Sequence, residues 1–446
     1  MLGVVVLLLL LIGVTVLHGD QVGVQVLQAE PTGQAHSTNP VTIRFSEMMD
    51  PSSVAAHFHT DPPLQGTFRW DGTTLTFQPA PAWRPNSTYT ISLEPGALSA
   101  NGRPLLTEYH YRFNVMPLRI AYLYPADAAL PNLRMVSMDD PSHPRQLTQS
   151  ETGVSDISVS PDGTQIAFSE LDPAFGESNI EQIDLDTGTQ TELTQCQFVS
   201  CFAPVWRPQN NMLSYEQNSL DKQLGYSAPR LWLLDLSTSP PATHLLLPTS
   251  QVLGFDAHWS ADGDRVAMAD GGSGAILVYD FAMQKTYSIG QQSGTSGALS
   301  PDGTQLVYPQ AEANGRIVLY RTVLASGQTT RISDSNSQDD DTFAQWSPNG
   351  TQVAFTRTHG SLKSAQILLL DLKTNQMKTL IDDPRYTDVK FWWDPTGTQL
   401  LIQRYGALDE NLRPDPQAQM ELWIDDLKSG SLRLIEANAF SPSWVP

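Results

Sequence analysis

Basic residues are scarce in this chain of 446 residues. Lysine and arginine together number 26, against 47 aspartates and glutamates, which gives a formal net charge of −21. A charge of this sign repels phosphate backbones and anionic lipid surfaces, so we expect no nucleic-acid partner. Apolar residues make up 40% of the chain, which is typical of a globular protein with two or three domains and argues against general disorder.

Cysteine is rarer still, since the only two are Cys196 and Cys201 in the stretch QCQFVSC. Their spacing would let a disulfide close one small loop, and two unpaired thiols in the core are the alternative. A metal site would need further ligands, and no other His or Cys lies nearby in the sequence to supply them.

Long apolar runs are confined to the N-terminus, where residues 2–17 carry no charged side chain. As a helix this run would be about 24 Å long, which is marginal for a bilayer. It lacks the basic n-region and the small-residue cleavage site of a secretory signal. We therefore predict that residues 1–20 are a membrane anchor, with a cleaved signal or a buried strand as alternatives. Either of the first two places the rest of the chain in the periplasm or at the cell surface, where disulfides persist.

Catalytic motifs are also missing from the sequence. It contains no Gly-x-Ser-x-Gly elbow, no His-Glu-x-x-His helix and no phosphate-binding loop. We therefore expect a protein that is not an enzyme and that needs no metal and no cofactor. The rival hypothesis is a hydrolase or lyase in which acidic side chains from several repeats converge in a central funnel without leaving a linear motif. A passive component of the cell envelope is a third possibility.

An internal repeat is the strongest feature that the sequence does contain. Six phrases of the type VSPDGTQIAFSE recur about 40 to 53 residues apart, which is the spacing of a four-stranded propeller blade. They begin at Val159, Trp206, Trp259, Leu299, Trp346 and Trp393. Proline fixes φ, aspartate bonds the backbone beyond it and glycine tolerates positive φ, so each phrase predicts a hairpin. We accordingly interpret Asp162, Asp262 and Asp302 as turn residues, and the tryptophans as packing between sheets.

The two ends of the repeat region are incomplete in complementary ways. The C-terminal FSPSWVP, residues 440–446, matches FAPVWRP at 202–208 and therefore predicts a first strand without the other three. Residues 118–149 contain three strand-like segments without a first strand. We predict that Phe440 to Trp444 pair beside Arg119 to Leu123, which would remove exposed sheet edges. The count then becomes about seven blades, with six as the alternative.

These repeats resemble those of TolB-type β-propellers, distant relatives of the WD-type propellers, over residues 117–446. Residues 21–116, with phrases such as VTIRFSEMMDPSSV, resemble bacterial Ig-like domains of the SbsA type and read as short alternating strands of a β-sandwich. The expected fold class is all-β: an N-terminal apolar helix, an Ig-like sandwich and a propeller closed by its two ends. The resemblance implies a non-catalytic extracytoplasmic binding or scaffold protein, in which the Ig-like domain is a stalk. The propeller would be a platform for a protein, peptide or glycan.

The candidate binding residues lie in long loops on one side of the propeller. Loops between the second and third strands of a blade emerge on the same side as the connections between blades, and long loops on a rigid scaffold are common recognition sites. The acidic stretch 334–341 lies on this side too, although Asp339 stands where an EF-hand loop requires glycine. A solvated loop is the alternative interpretation there. The candidates are Asp172, Glu177, Lys222, Tyr226, Asp339, Asp340, Asp341, Tyr405 and Arg413.

Overall fold

The computed structural model describes residues 23–172, 177–208, 211–221, 225–249, 251–290, 294–334, 339–359, 364–406, 415 and 418–446. The chain divides into two compact units, and the boundary falls between Met116 and Pro117. The segment 1–20, expected to be a helical membrane anchor, lies outside the described residues. Within the part of the chain that is described, no helix has the length and apolar character needed to cross a membrane.

The first unit contains eight strands and one short helix. Their bounds are β1 Val26–Glu30, β2 Gly33–Ala35, β3 Val41–Phe45, α1 Pro51–His57, β4 Phe58–Asp61, β5 Gly66–Asp71, β6 Thr74–Pro79, β7 Thr88–Leu93 and β8 Tyr109–Val115. The strands form two sheets, in the orders β1-β3-β6-β5 and β2-β8-β7-β4. All pairs are antiparallel except β2 with β8. Residues of both sheets share one apolar core, so this unit is a β-sandwich.

The helix α1 corrects the expectation that this whole stretch consists of strands. Asp50 is its N-cap, and its Oδ1 accepts the N–H groups of Ser52 at 2.8 Å and Ser53 at 3.0 Å. Pro51 follows at the first helical position, where its missing N–H costs nothing. The sequence Met-Asp-Pro is thus a helix start, and the alternation around it does not continue as a strand.

Trp83 is the centre of the sandwich core. Its side chain is fully buried, and its ring lies 4.7 Å from that of Tyr89 and 5.3 Å from that of Phe113, between centroids. Its Nε1 donates a hydrogen bond of 2.7 Å to the Asn39 carbonyl oxygen, so burial leaves no unpaired donor there. This unit contains no cysteine, and packing of this kind holds its two sheets together.

The described residues of the second unit form seven sheets, each with a path of four strands. Sheets 1 to 6 follow the chain in order. Sheet 7 combines three strands from the start of the unit with one from its end. Sheet 7 consists of β9 Arg119–Tyr124, β10 Asn132–Ser137, β11 Asp140–Gln146 and β37 Phe440–Val445, and sheet 1 consists of β12 Val154–Val159, β13 Gln165–Asp172, β14 Glu177–Asp184 and β15 Gln190–Glu192. Sheet 2 consists of β16 Val199–Trp206, β17 Met212–Asp221, β19 Arg230–Asp235 and β20 Ala242–Leu245, with β18 Gly225–Tyr226 added to β17, and sheet 3 consists of β21 Gly254–Trp259, β22 Arg265–Asp270, β23 Ala275–Asp280 and β24 Lys285–Gly290. Sheet 4 consists of β25 Ala298–Leu299, β26 Gln305–Ala311, β27 Ile317–Val323 and β28 Gln328–Arg331, sheet 5 consists of β29 Asp340–Trp346, β30 Gln352–Thr358, β31 Ala365–Asp371 and β32 Gln376–Thr379, and sheet 6 consists of β33 Tyr386–Trp393, β34 Gln399–Gly406, β35 Met420–Asp426 and β36 Ser431–Ala437.

The repeated phrases form the turns between the first and second strands, as the sequence predicts. In sheet 1, Ser160 Oγ donates to Asp162 Oδ1 at 2.6 Å and accepts the Gln165 N–H at 2.9 Å. Asp162 Oδ1 also accepts the Thr164 N–H at 3.1 Å. The same arrangement recurs in sheets 3, 4 and 5 at Ser260–Asp262, Ser300–Asp302 and Ser347–Asn349. These aspartates are therefore turn residues.

Consecutive sheets of the second unit pack face to face through separate apolar cores. Each of seven clusters combines residues of two neighbouring sheets, and two of them join sheet 6 to sheet 7 and sheet 7 to sheet 1. Two of the four tryptophans before the turns add hydrogen bonds between sheets. Trp259 Nε1 donates to Ser214 Oγ at 3.0 Å, and Trp346 Nε1 donates to the Ala298 carbonyl oxygen at 3.0 Å. These tryptophans have the packing role that the sequence indicates.

The two ends of the second unit meet in sheet 7. Strand β37 pairs antiparallel with β9, so that Phe440 lies opposite Leu123, Ser443 opposite Ala121 and Trp444 opposite Ile120. This is the pairing that the incomplete repeats predict. The sheet order β11-β10-β9-β37 places the C-terminal strand where the other sheets have their first strand.

Candidate recognition site on the loop face

Strand direction places two kinds of segment at the same end of each sheet. The first strand begins there and the second strand ends there, as shown by the pairing of Val154 with Glu170 in sheet 1 and of Phe202 with Glu216 in sheet 2. We call this side of the second unit the loop face. The second strands, which precede the long loops of the candidate binding site in the sequence, end on the loop face.

A cavity of about 530 Å³ opens on the loop face among sheets 7, 1 and 2. Its walls come from the ends of strands rather than from one continuous segment. Val154 and Ser155 begin β12, Ser200 and Phe202 lie near the start of β16, and Phe440 begins β37. The volume is in the range of small-ligand sites.

The cavity is uncharged, although the chain is strongly acidic. Every lining residue is apolar or carries a hydroxyl or an amide group. Ser178 Oγ donates to the Cys201 carbonyl oxygen at 3.0 Å, so this hydroxyl is already engaged. Asn218 Oδ1 is a buried acceptor that has no hydrogen-bond partner among the described residues.

Large apolar side chains are concentrated around this cavity. The described residues of the second unit include seven large hydrophobic side chains that are exposed, and four of them lie at the loop-face ends of sheets 7, 1 and 2. These are Leu130 at 47% exposure, Leu171 at 42%, Phe198 at 72% and Tyr226 at 57%. Leu171 and Tyr226 line the cavity directly. Several exposed apolar side chains near one cavity are typical of interaction sites.

The disulfide lies at the same edge of sheet 2. Cys196 and Cys201 are bonded and both are buried. Cys201 packs against Ile180 of sheet 1 in the core between the two sheets. The bond closes a loop whose tip is Phe198, two residues before the cavity-lining Ser200.

Of the predicted site residues, the structure brings Tyr226 into the cavity wall. Glu177 lies nearby but has a structural role, because it is 4% exposed and its Oε2 accepts the Phe198 N–H at 2.7 Å. Asp172 ends β13 opposite Glu177, and its side chain lies outside the described part of the structure. Lys222 and Arg413 also lie outside the described residues.

The acidic residues Asp339, Asp340 and Asp341 are bound to their own surroundings in sheets 4 and 5. Asp341 is buried, and its carboxylate accepts two hydrogen bonds from Arg357. Arg357 Nε donates to Asp341 Oδ1 at 2.7 Å, and Nη2 donates to Oδ2 at 2.9 Å. This hydrogen bonding raises the pKa of Arg357, although burial opposes the rise. Asp340 Oδ1 accepts the Ile317 N–H at 2.9 Å, and Asp339 Oδ2 lies 3.1 Å from His359 Nδ1. These carboxylates fix local structure, and they do not join the cavity.

Tyr405 is placed on sheet 6, where it pairs with Thr387 and Met420. It is exposed, but it is not among the residues that line the cavity. The sequence analysis did not single out Leu130, Leu171, Phe198 or Phe440. The signal in the sequence is the presence of large apolar residues in loops, where polar residues are usual. The clearest case is Phe198, which lies between the two cysteines.

Three carboxylates recur on the inner strands of sheets 1 to 3. Asp156 Oδ2 accepts the Ala203 N–H at 3.4 Å, Glu216 Oε1 accepts the Asp256 N–H at 2.8 Å and Asp256 Oδ2 accepts the Ser296 N–H at 2.9 Å. Each bond links one sheet to the next. Burial raises the pKa of Glu216 to about 7. No group of three or more His, Cys, Asp or Glu side chains within the described ranges has an arrangement that could hold a metal ion.

Comparison with known proteins identifies the first unit. Residues 20–115 match the bacterial Ig-like domain family. The first unit is a bacterial Ig-like domain. Domains of this family are typical of extracytoplasmic bacterial proteins. The sequence matches no curated protein significantly.

The second unit is similar in fold to several solved β-propeller-containing proteins. Oligogalacturonate lyase from Vibrio parahaemolyticus is 13% identical with a TM-score of 0.50, and the match covers 72% of this chain and 85% of the lyase. Puromycin hydrolase is 15% identical with a TM-score of 0.53, over 72% of this chain and about half, 52%, of the hydrolase. TolB from Acinetobacter baumannii is 13% identical with a TM-score of 0.44, over 96% of this chain and 100% of TolB. At these identities the likeness to the lyase and the hydrolase concerns the fold alone: the second unit is propeller-like.

Proposed function

We propose that this chain is a non-catalytic extracytoplasmic binding protein that recognises an extended apolar segment of a protein or peptide in the loop-face cavity. In this proposal the seven sheets are the blades of a closed ring, which is supported by the apolar cores that sheet 7 shares with sheets 1 and 6. The Ig-like domain acts as a spacer. The disulfide supports a location outside the cytoplasm, where such bonds persist.

One observation carries the proposal, namely the clustering of Leu130, Leu171, Phe198 and Tyr226 around an uncharged cavity. Exposed apolar side chains cost free energy in water, and burial against a partner recovers about 25 cal/mol per Å². The cavity wall also carries hydroxyl groups, on Ser155 and Ser200, which suit the N–H groups of a peptide backbone. A protein or peptide fits this mixture better than a glycan, since few polar groups of the wall remain free.

Selection of random dodecapeptides displayed on phage tests the proposal, with the full-length chain immobilised. We expect selected peptides to contain aromatic or leucine side chains and to lose binding to the Ser155→Trp variant. Ser155 is exposed at the cavity wall, so tryptophan there fills the cavity without disturbing a core.

The matched control is Ser326→Trp, at an exposed turn between β27 and β28 on the opposite side of the unit. This variant should bind the selected peptides like the unaltered chain. Equal loss of binding in both variants, or no enrichment of peptides at all, would show that the loop-face cavity is not the recognition site.

A hydrolase or lyase remains the second candidate, and Glu216 is the observation that favours it. A carboxyl group with a pKa near 7 beside Asp256 and Asp156 suits a general acid. Against this, Glu216, Asp256 and Asp156 each bond a backbone N–H of the next sheet, and none lines the cavity. When incubated with oligogalacturonates, the unaltered chain should therefore form no more product than the Glu216→Gln variant forms. Turnover that disappears in that variant would favour the enzyme.

A further inference from the structure

The loop closed by Cys196 and Cys201, here the disulfide loop, holds an aromatic side chain out into solvent. Phe198 at its tip is 72% exposed, and its φ of +64° lies in the left-handed region that a phenylalanine rarely adopts. Both features cost free energy, because the backbone is strained and the aromatic ring is exposed to water. A structure retains such costs only where the surroundings enforce them.

Contacts from sheet 1 and the disulfide hold this loop. The buried Glu177 carboxylate accepts the Phe198 N–H at 2.7 Å, and Asn179 Oδ1 accepts the Cys196 N–H at 2.6 Å. Ser178 Oγ donates to the Cys201 carbonyl oxygen at 3.0 Å. Burying a carboxylate for one backbone N–H is expensive, and the result is a preorganised aromatic side chain.

The position of the disulfide loop joins it to the cavity. Val199 pairs with Ser219 directly after Phe198, and the next pair, Ser200 with Asn218, belongs to the cavity wall. Tyr226 lies on β18, which pairs with the end of β17 that follows Ser219, and it is exposed like Phe198. A segment that fills the cavity and leaves it over sheet 2 would therefore meet these two aromatic side chains.

We propose that the disulfide loop is a second contact of the recognition site, in which Phe198 packs on an apolar partner segment that is flanked by lysine or arginine. This inference rests on the proposed function. The cavity is uncharged, so it suits the apolar part of the partner segment. The chain around it has a net charge of −21, which attracts lysine or arginine residues on either side of that apolar part. The disulfide holds Phe198 in its exposed position, so binding requires that the bond between Cys196 and Cys201 is intact.

Fluorescence anisotropy of the selected dodecapeptides, labelled with fluorescein, tests the inference with full-length variants. Phe198→Ala is expected to weaken binding at least about tenfold, as for an anchor at the edge of a hot spot, and Phe198→Trp to preserve it. Met283→Ala removes an equally exposed side chain from the turn between β23 and β24 and should change nothing. Raising the salt concentration should weaken the binding of peptides that have basic residues beside their apolar segment.

The double variant Cys196→Ser, Cys201→Ser should lose affinity to the same degree as Phe198→Ala, at a temperature where its melting curve shows it folded. If it does not fold, Phe198→Ala alone decides, since this side chain is exposed. Binding that is abolished by Ser155→Trp but unchanged by Phe198→Ala overturns the role of the disulfide loop and leaves the proposed function standing. Binding that Ser155→Trp does not affect, or a selection without binders, overturns both.

Discussion

Buried charges at equivalent positions of two neighbouring sheets show how individual residues stabilise the second unit. Asp341 pairs with Arg357 in sheet 5, and Asp388 pairs with Arg404 in sheet 6, each time across the first two strands. Asp388 is 0% exposed and Arg404 1%. Arg404 Nε lies 3.0 Å from Asp388 Oδ1, but neither atom has a well-aligned hydrogen bond among the described residues. The charges therefore compensate each other mainly by attraction, and burial raises the pKa of Asp388 to about 6.

The pair in sheet 6 gives a residue-scale prediction. Arg404→Met should lower the free energy of unfolding by about 3–5 kcal/mol, because it leaves the Asp388 charge buried and unpaired. The double variant with Asp388→Leu should recover most of that loss, since no buried charge remains. Urea unfolding measures both. If the double variant were as unstable as Arg404→Met, packing of Arg404 on Tyr386, 4.1 Å from the ring centroid, would be the larger contribution.

Glu216 gives a second prediction, with a definite sign. Its pKa rises from the ordinary 4.5 to about 7, so the folded state holds this proton more tightly than the unfolded state between these two values. The contribution of Glu216 to stability is therefore lost as the pH rises from 4.5 through 7.

Glu216→Gln keeps an acceptor for the Asp256 N–H and does not titrate. The variant should gain stability over the unaltered chain as the pH rises, on the order of 2 kcal/mol at pH 8 and almost none at pH 4.5. Unfolding by urea at pH 5, 6, 7 and 8 measures the gain, and Glu151→Gln at an exposed position provides the baseline. A pH-independent difference would contradict the assignment.

At the scale of the element, the hairpins carry the regularity of the second unit. In sheets 1, 3, 4 and 5 a serine and an acidic or amide side chain two residues later bond the turn, so the fold of the turn is settled within about six residues. Sheet 5 uses Asn349 in place of aspartate, and its Oδ1 accepts the Thr351 N–H at 3.0 Å. The turn thus needs the acceptor and not the charge.

This substitution within the molecule predicts the effect of changing Asp302. Asp302→Ala removes the acceptor of the Ser300 hydroxyl and of the Thr304 N–H, and should cost about 1–3 kcal/mol. Asp302→Asn should cost less than about 0.5 kcal/mol, because Asn349 makes the same bonds. Thermal melting of the two variants compares them. An asparagine variant as unstable as the alanine variant would mean that the charge itself matters.

At the scale of the whole molecule, the C-terminal strand completes sheet 7. Trp444 is buried in the core between sheets 6 and 7, Val445 is buried in the core between sheets 7 and 1, and β37 covers the edge of β9. Residues 440–446 also contribute Phe440 to the cavity wall. The end of the chain therefore contributes both to the stability of the second unit and to its candidate site.

Deletion of residues 440–446 should destabilise the whole second unit. Burial of each of the two side chains contributes about 1.5–3 kcal/mol, and the deletion leaves an unpaired strand edge. We expect the melting temperature to fall by at least about 5 °C, and association of the truncated chain to increase. Scanning calorimetry and light scattering measure these effects. An unchanged melting temperature would refute closure by β37.

The sequence by itself determined the repeat, the turns and the pairing of the chain ends, because turn chemistry and strand alternation act over a few residues. It also placed the long loops on one face, since strand direction follows from counting hairpins. It missed the helix at 51–57, where the cap Asp50 outweighs the alternation. Only the tertiary structure decided that Glu177 and Asp341 are scaffold residues, because their partners Phe198 and Arg357 are distant in sequence. The cavity is assembled from three sheets, and its position depends on how they pack, which no local pattern encodes.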